Sequence, residues 1–192
     1  MVFLNLANKI TMTRIFMIPL FMIAYMWRFP YHNLVACLLF AIAALTDGVD
    51  GYVARNYKMV TDFGKFIDPL ADKLMIATAL ICFVGSGEIP SYMAVIIIAR
   101  EFIVTGLRTV AMSKGVVIAA AMTGKIKTCI QIVATICVFM FGYHSYYGDF
   151  TFRIFEKITT TPGELAMLVA TLFTIYSGVE YLYKNKSLLE DN

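Results

Sequence analysis

The stretch Asp47–Asp72 reads DGVDGYVARNYKMVTDFGKFIDPLAD. Four of its aspartates, Asp47, Asp50, Asp68 and Asp72, stand at intervals of three and four residues in two pairs. Spacings of three and four bring side chains onto one face of a helix. On either side the chain is plainly apolar, LVACLLFAIAAL before the first pair and MIATALICFV after the second. The stretch therefore reads as the end of one hydrophobic helix, a short connection and the start of the next. Each helix presents two carboxylates at the same depth. Charge is most costly to bury in such surroundings, so the carboxylates call for a compensating partner.

Composition supports the hydrophobic frame. The chain has 192 residues, which suits a single domain spanning 1–192, and 60% of them are hydrophobic with only 15% charged. Soluble domains run at roughly 45–50% apolar and about 25% charged. A mean hydropathy of +0.75 points the same way, to an all-α integral membrane protein. The net charge of +3 is too small to indicate nucleic acid, and suits basic loops facing anionic lipid. Cys37, Cys82, Cys129 and Cys137 fall within apolar runs without Cys-x-x-Cys spacing, and read as small core hydrophobes. MVFLNLANKITMTR shows no apolar core followed by a small-residue cleavage site, so the first span is expected to serve as an uncleaved insertion signal.

A bilayer core needs roughly 20 apolar residues per helix. Six transmembrane helices are predicted: 12–29, ended by Pro30; 33–53; 66–84, followed by a turn at Gly85, Gly87 and Pro90; 91–112; 118–143; and 162–183. Before the first, VFLNLANKI mixes apolar and polar residues as a short N-terminal amphipathic helix lying in the interface would. Lys9, Arg14, Arg55, Lys58, Lys65, Lys114, Lys184 and Lys186 fall on one side of such a bundle. Arg28, Arg153 and Lys157 fall on the other, diluted by Glu88, Asp149 and Glu156. The positive-inside rule puts both termini and the aspartate connection in the cytoplasm.

Clustered carboxylates repel one another, and a hard divalent cation removes that penalty. All-oxygen ligands suit magnesium or manganese. Two such ions about 3.5–4 Å apart make a clamp for displacement at phosphorus. Gly51 and Gly64 would let a phosphate or nucleotide approach the backbone, and Arg55, four residues after Gly51, could fork a phosphate. The plainer alternative pairs the aspartates with Lys65, Lys73 and Arg55 as structural ion pairs. A divalent-cation carrier would need polar groups continuing to the outer face. The apolar outer halves of the second and third spans exclude it.

The string Asp47-x-x-Asp50-Gly51-x-x-Ala54-Arg55, eight residues, then Gly64-x-x-x-Asp68-x-x-x-Asp72 resembles the full signature of the CDP-alcohol phosphotransferase family. Asn8-Lys9-Ile10-Thr11 with Arg14, DPLADK at 68–73, AREFIVTGLR at 99–108, GVVIAA at 115–120 and GKIKT at 124–128 resemble its bacterial members that accept a glycerol phosphate. The likeness covers roughly the first 130 residues; the remainder matches only in being hydrophobic. It implies transfer of a phosphatidyl group from CDP-diacylglycerol to sn-glycerol 3-phosphate, releasing CMP, in the plasma membrane of a bacterium. Asp47, Asp50 and Asp68 would hold two Mg2+ or Mn2+ ions, with Asp72 contributing to the second and acting as general base. Gly51, Ala54, Arg55 and Gly64 would cradle the cytidine diphosphate. A homodimer is usual for the family.

An acceptor carrying phosphate needs a basic pocket beside the metals. Glu101, Thr105 and Arg108 fall at intervals of four and three along the fourth span, with Arg100 alongside. Lys125 and Lys127 are about 200° apart on a helix, so at most one faces the same cavity. Lys125 is preferred because Gly124 beside it could admit a ligand. Lys127 would then snorkel to the cytoplasmic surface, and Glu101 would pair with Arg108 or Arg100. Asn8 and Thr11 suit either helix caps or contacts to the CDP diphosphate. Serine, inositol phosphate or phosphatidylglycerol are the acceptors the aspartates alone would not distinguish; the basic stripe argues against serine.

Overall fold

Helices in this chain end where a residue satisfies or interrupts the backbone, and these points do not always coincide with the ends of apolar runs. The computed structural model describes the backbone of residues 6–27, 29–57, 62–113, 115, 122–142 and 161–186. Within these it describes the side chains except those of 6–11, 47–57, 62–72 and 113. Among the described residues there are six helices and no strand: α1 Leu6–Met26, α2 His32–Tyr57, α3 Asp62–Ser86, α4 Ser91–Ser113, α5 Met122–Phe141 and α6 Pro162–Lys184. The start of α6 shows the local logic. Thr161 is extended at φ −75° and ψ 156°, its hydroxyl accepts from the Glu164 amide at 3.1 Å, and Pro162 takes the first helical position.

Three expectations change. α1 runs unbroken from Leu6, so no separate interfacial helix precedes the span among the described residues; the backbones of Asn8 and Thr11 lie inside α1, past its N-cap position. Between Leu6 and Thr11 there is no Gly or Pro to interrupt the helix, and polarity alone does not. At its other end α1 stops at Met26, ahead of Pro30, and the chain turns through Tyr31 at φ 69° into α2. Finally, α2 and α3 extend past the expected span ends toward each other, so Ala54, Arg55 and Gly64 join the four signature aspartates in helical backbone.

The aromatic core lies toward the end of the bundle where α1 finishes and α2 begins. Phe83 of α3 meets Phe139 of α5 edge-on with ring centroids 4.8 Å apart, and Tyr25 of α1 packs against both. The Tyr25 hydroxyl shares a 2.7 Å hydrogen bond with Ser86. α5 packs along α6, α1 against α2 and α3, and α4 against α6.

α6 is built inside out relative to a soluble helix. Its buried face carries Gly163, Met167, Ala170, Thr171, Thr174, Ser177, Gly178 and Tyr181. Its exposed face carries Leu165, Val169, Leu172, Tyr176, Val179 and Tyr183. Small and hydroxyl residues facing neighbouring helices, with large apolar ones facing outward, suit lipid surroundings. The buried threonines return their hydroxyls to the helix itself, Thr171 to the Met167 carbonyl at 2.8 Å and Thr174 to Ala170 at 2.6 Å. By length and composition, α5 and α6 can each cross a membrane. α1, α2 and α3 carry shorter apolar stretches at Met12–Met26, His32–Thr46 and Lys73–Ser86.

Candidate active site

α4 starts beside the aromatic core and runs away from it, which carries its charged residues to the other half of the bundle. There Lys73 of α3, Arg100, Glu101, Thr105 and Arg108 of α4, Thr123, Gly124 and Lys125 of α5, and Ser177 and Tyr181 of α6 line one cavity of about 260 Å³. Four helices thus meet around a single polar space. Among the described residues four cationic side chains line it against one carboxylate, that of Glu101.

Glu101 is the electrostatic hub. Its Oε1 accepts from Lys127 Nζ at 2.6 Å and from Arg100 Nη1 at 3.1 Å. Lys127 also donates to Gln131 Oε1 one turn further along α5. Arg100 Nη2 donates to Ser177 Oγ at 2.8 Å, which ties α4 to α6. A Cβ on Gly178 would lie 3.1 Å from Arg100 Cγ, so the absence of a side chain there lets the arginine stem rest on α6. Thr105 donates to the Glu101 carbonyl at 2.7 Å and accepts from Lys73. Arg108 and Lys125 differ from these: both are exposed, and neither makes an ion pair among the described residues. The cavity therefore holds bound cations and two cations open to an anion.

All four acceptor candidates, Arg100, Thr105, Arg108 and Lys125, line this cavity. The pairing of Glu101 with Arg100 holds, and its second partner is Lys127 in place of Arg108. Lys127 does not snorkel. It is 2% exposed, because a carboxylate one helix away compensates its charge and favours burial over a reach for solvent. Lys73, Ser177 and Tyr181 were not anticipated in the cavity. A Ser and a Tyr four residues apart share a face of α6, but Thr171 and Thr174 of the same helix carry hydroxyls as well, so the spacing is a weak hint for the last two.

Asp47, Asp50, Gly51, Ala54 and Arg55 belong to α2, and Gly64, Asp68 and Asp72 to α3. Their side chains, with those of Asn8 and Thr11, lie outside the described residues. Among the described side chains no group of three His, Cys, Asp or Glu gathers that could hold a metal. The backbone nevertheless puts Asp72 one residue before Lys73, which lines the cavity.

A model of the CDP-alcohol phosphatidyltransferase family matches residues 4–176. The chain belongs to this family. Among similar proteins, the CDP-diacylglycerol--glycerol-3-phosphate 3-phosphatidyltransferase of Bacillus subtilis (strain 168) is 43% identical over 97% of this chain and 97% of its own length. The probable phosphatidylglycerophosphate synthase of Mycobacterium tuberculosis (strain ATCC 25618 / H37Rv) is 38% identical over 93% of this chain and 80% of its own. The CDP-diacylglycerol--glycerol-3-phosphate 3-phosphatidyltransferase of Rickettsia bellii (strain RML369-C) is 32% identical over 92% and 93%. For a CDP-alcohol phosphatidyltransferase, the division along this chain is informative. The aspartate signature and the α4 and α5 walls of the cavity fall inside the matched residues, whereas Ser177 and Tyr181 lie just beyond them.

Proposed function

We propose that the protein transfers the phosphatidyl group of CDP-diacylglycerol to sn-glycerol 3-phosphate, giving phosphatidylglycerophosphate and CMP in anionic phospholipid synthesis. The observation that carries this is the cavity in which Arg108 and Lys125 make no ion pair among the described residues, and whose Lys73 directly follows Asp72 of the aspartate signature. An acceptor bearing phosphate supplies the missing anion, and the names of the relatives agree with it. Serine and free inositol carry no phosphate to supply it.

The donor set of Asp47, Asp50, Asp68 and Asp72, all oxygen on adjoining helices, fits two Mg2+ or Mn2+ ions. Bound there, the ions would supply charge neutralisation for the diphosphate and the departing CMP. Gly51, Ala54, Arg55 and Gly64 bind the cytidine diphosphate, with Asn8 and Thr11 near its phosphates. Arg108 and Lys125, with Arg100 and Thr105, orient the acceptor phosphate. Asp72 takes the proton of the attacking hydroxyl as that oxygen bonds to the phosphatidyl phosphorus. The bond to CMP breaks, and CMP leaves with its electron pair. The helices all span the bacterial plasma membrane, with the cavity toward the cytoplasm, and the protein works as a homodimer.

The test is CMP release from CDP-diacylglycerol by the purified protein with glycerol 3-phosphate, serine, inositol, inositol phosphate or phosphatidylglycerol as acceptor. Glycerol 3-phosphate is expected to be fastest; a faster rate with serine or inositol would overturn the assignment. Chelation should abolish the rate and magnesium or manganese restore it. Full turnover in chelator would remove the metals from the scheme.

A further inference from the structure

We infer that Lys127 is a positioning residue, acting through Glu101 to hold Arg100 toward the acceptor while Ser177 of α6 holds the other end of the guanidinium. The inference rests on the acceptor reading of the cavity given above.

Lys127 is poorly placed to bind a ligand itself. It is buried, and its ammonium is engaged by Glu101 at 2.6 Å and by Gln131. Its effect is on Glu101. A carboxylate in this half-buried place costs a great deal without a compensating cation, and Arg100 alone would have to supply one. With Lys127 present, Glu101 is neutralised from beneath and serves as a fixed acceptor for Arg100 Nη1. Ser177 accepts from Nη2, so both terminal nitrogens are anchored, by α4 on one side and by α6 on the other. A planar guanidinium held at two points has little freedom to turn, and its remaining donors keep one direction. Arg108 and Lys125 have no such anchors among the described residues. Beside Lys73, which donates to Thr105, the cavity thus combines two adaptable cations with one fixed arginine. The fixed one is suited to setting the orientation of the acceptor, and the other two to attracting it.

The experiment compares the full-length wild type with Lys127→Met, the double variant Lys127→Met/Glu101→Gln, and Ser177→Ala. It measures kcat and the KM for each substrate. Lys127→Met leaves Glu101 uncompensated and is expected to raise the KM for glycerol 3-phosphate about tenfold, the worth of one charge-assisted hydrogen bond. The KM for CDP-diacylglycerol should stay within about twofold of wild type. Glu101→Gln keeps an amide oxygen for Arg100 and removes the stranded charge, so the double variant should return to within about threefold of wild type. Ser177→Ala should raise the acceptor KM about three- to fivefold, with kcat nearly unchanged.

A double variant as impaired as Lys127→Met would make Lys127 a direct ligand and overturn the inference. Equal rises in both KM values would make it a purely structural pair, with the same consequence. If Lys127→Met does not accumulate in membranes, Ser177→Ala decides: an unchanged acceptor KM overturns the proposal and a selective rise supports it. Wild type that does not use glycerol 3-phosphate would remove the proposed function instead, which separates the two failures.

Discussion

At the scale of single residues, the two halves of the site should fail in different ways. Asp72→Asn keeps size and hydrogen bonding but accepts no proton from the attacking hydroxyl. General-base catalysis is worth about 10²–10⁴-fold, so turnover should fall by that order while CDP-diacylglycerol binding persists. Near-normal turnover of this variant would exclude Asp72 as the base. Arg108→Ala removes a cation that has no other partner among the described residues. It should raise the KM for glycerol 3-phosphate by about tenfold or more and leave CDP-diacylglycerol affinity little changed; an effect on the nucleotide substrate alone would place Arg108 elsewhere. Arg108 could be read from the sequence because Glu101, Thr105 and Arg108 repeat at helical spacing, and that repeat survives folding unchanged. Lys127 could not be read in this way. Whether a lysine near a helix end reaches for solvent or turns inward depends on what the neighbouring helix offers, and here Glu101 of α4 offers a carboxylate 26 residues away in sequence. Ser177 gave even less signal, since one hydroxyl in an apolar helix is usually returned to its own backbone.

At the scale of elements, the contact between α5 and α6 is the closest test of packing. A Cβ on Gly163 would lie 2.8 Å from Val138 Cα and 3.1 Å from the Cys137 carbonyl oxygen, both backbone atoms that no rotamer change can move. Gly163→Ala should therefore push the helices apart and cost about 1–3 kcal/mol, measured as a lower midpoint of thermal unfolding in detergent. An unchanged midpoint would show that the start of α6 can shift without loss. The number and order of helices were legible from apolar runs, because each run must bury or meet lipid along its length. Their ends were less legible. The expected second span already holds Asp47 and Asp50 and stops at Val53, whereas the backbone of α2 continues to Tyr57. Polarity alone does not end a helix, so Ala54, Arg55 and Gly64, beyond the expected spans, also lie within helices.

At the scale of the whole molecule, the bundle has an aromatic half around Phe83 and Phe139 and a charged half around Glu101. On the proposed membrane topology, the ion pair that joins α4 to α5 also bears on how the chain enters the membrane during synthesis. α4 carries Arg100, Glu101 and Arg108 within its 23 residues, while α5 is long and apolar enough to cross a membrane. A central charge costs about 2.5–3.5 kcal/mol on insertion, so α4 alone is a poor passenger. Lys127 emerges from the ribosome after Glu101 and neutralises it only once α5 has followed. Nascent chains arrested before Met122 should accordingly leave α4 extractable by alkali, and chains arrested well beyond Phe141 should retain it. Lys127→Met should weaken that retention in the longer chains. Equal retention at both lengths would mean that α4 is held by its own apolar face. If the difference is found, translation itself delivers these two helices as a pair, and the salt bridge that shapes the finished cavity first acts as a latch on a half-made protein.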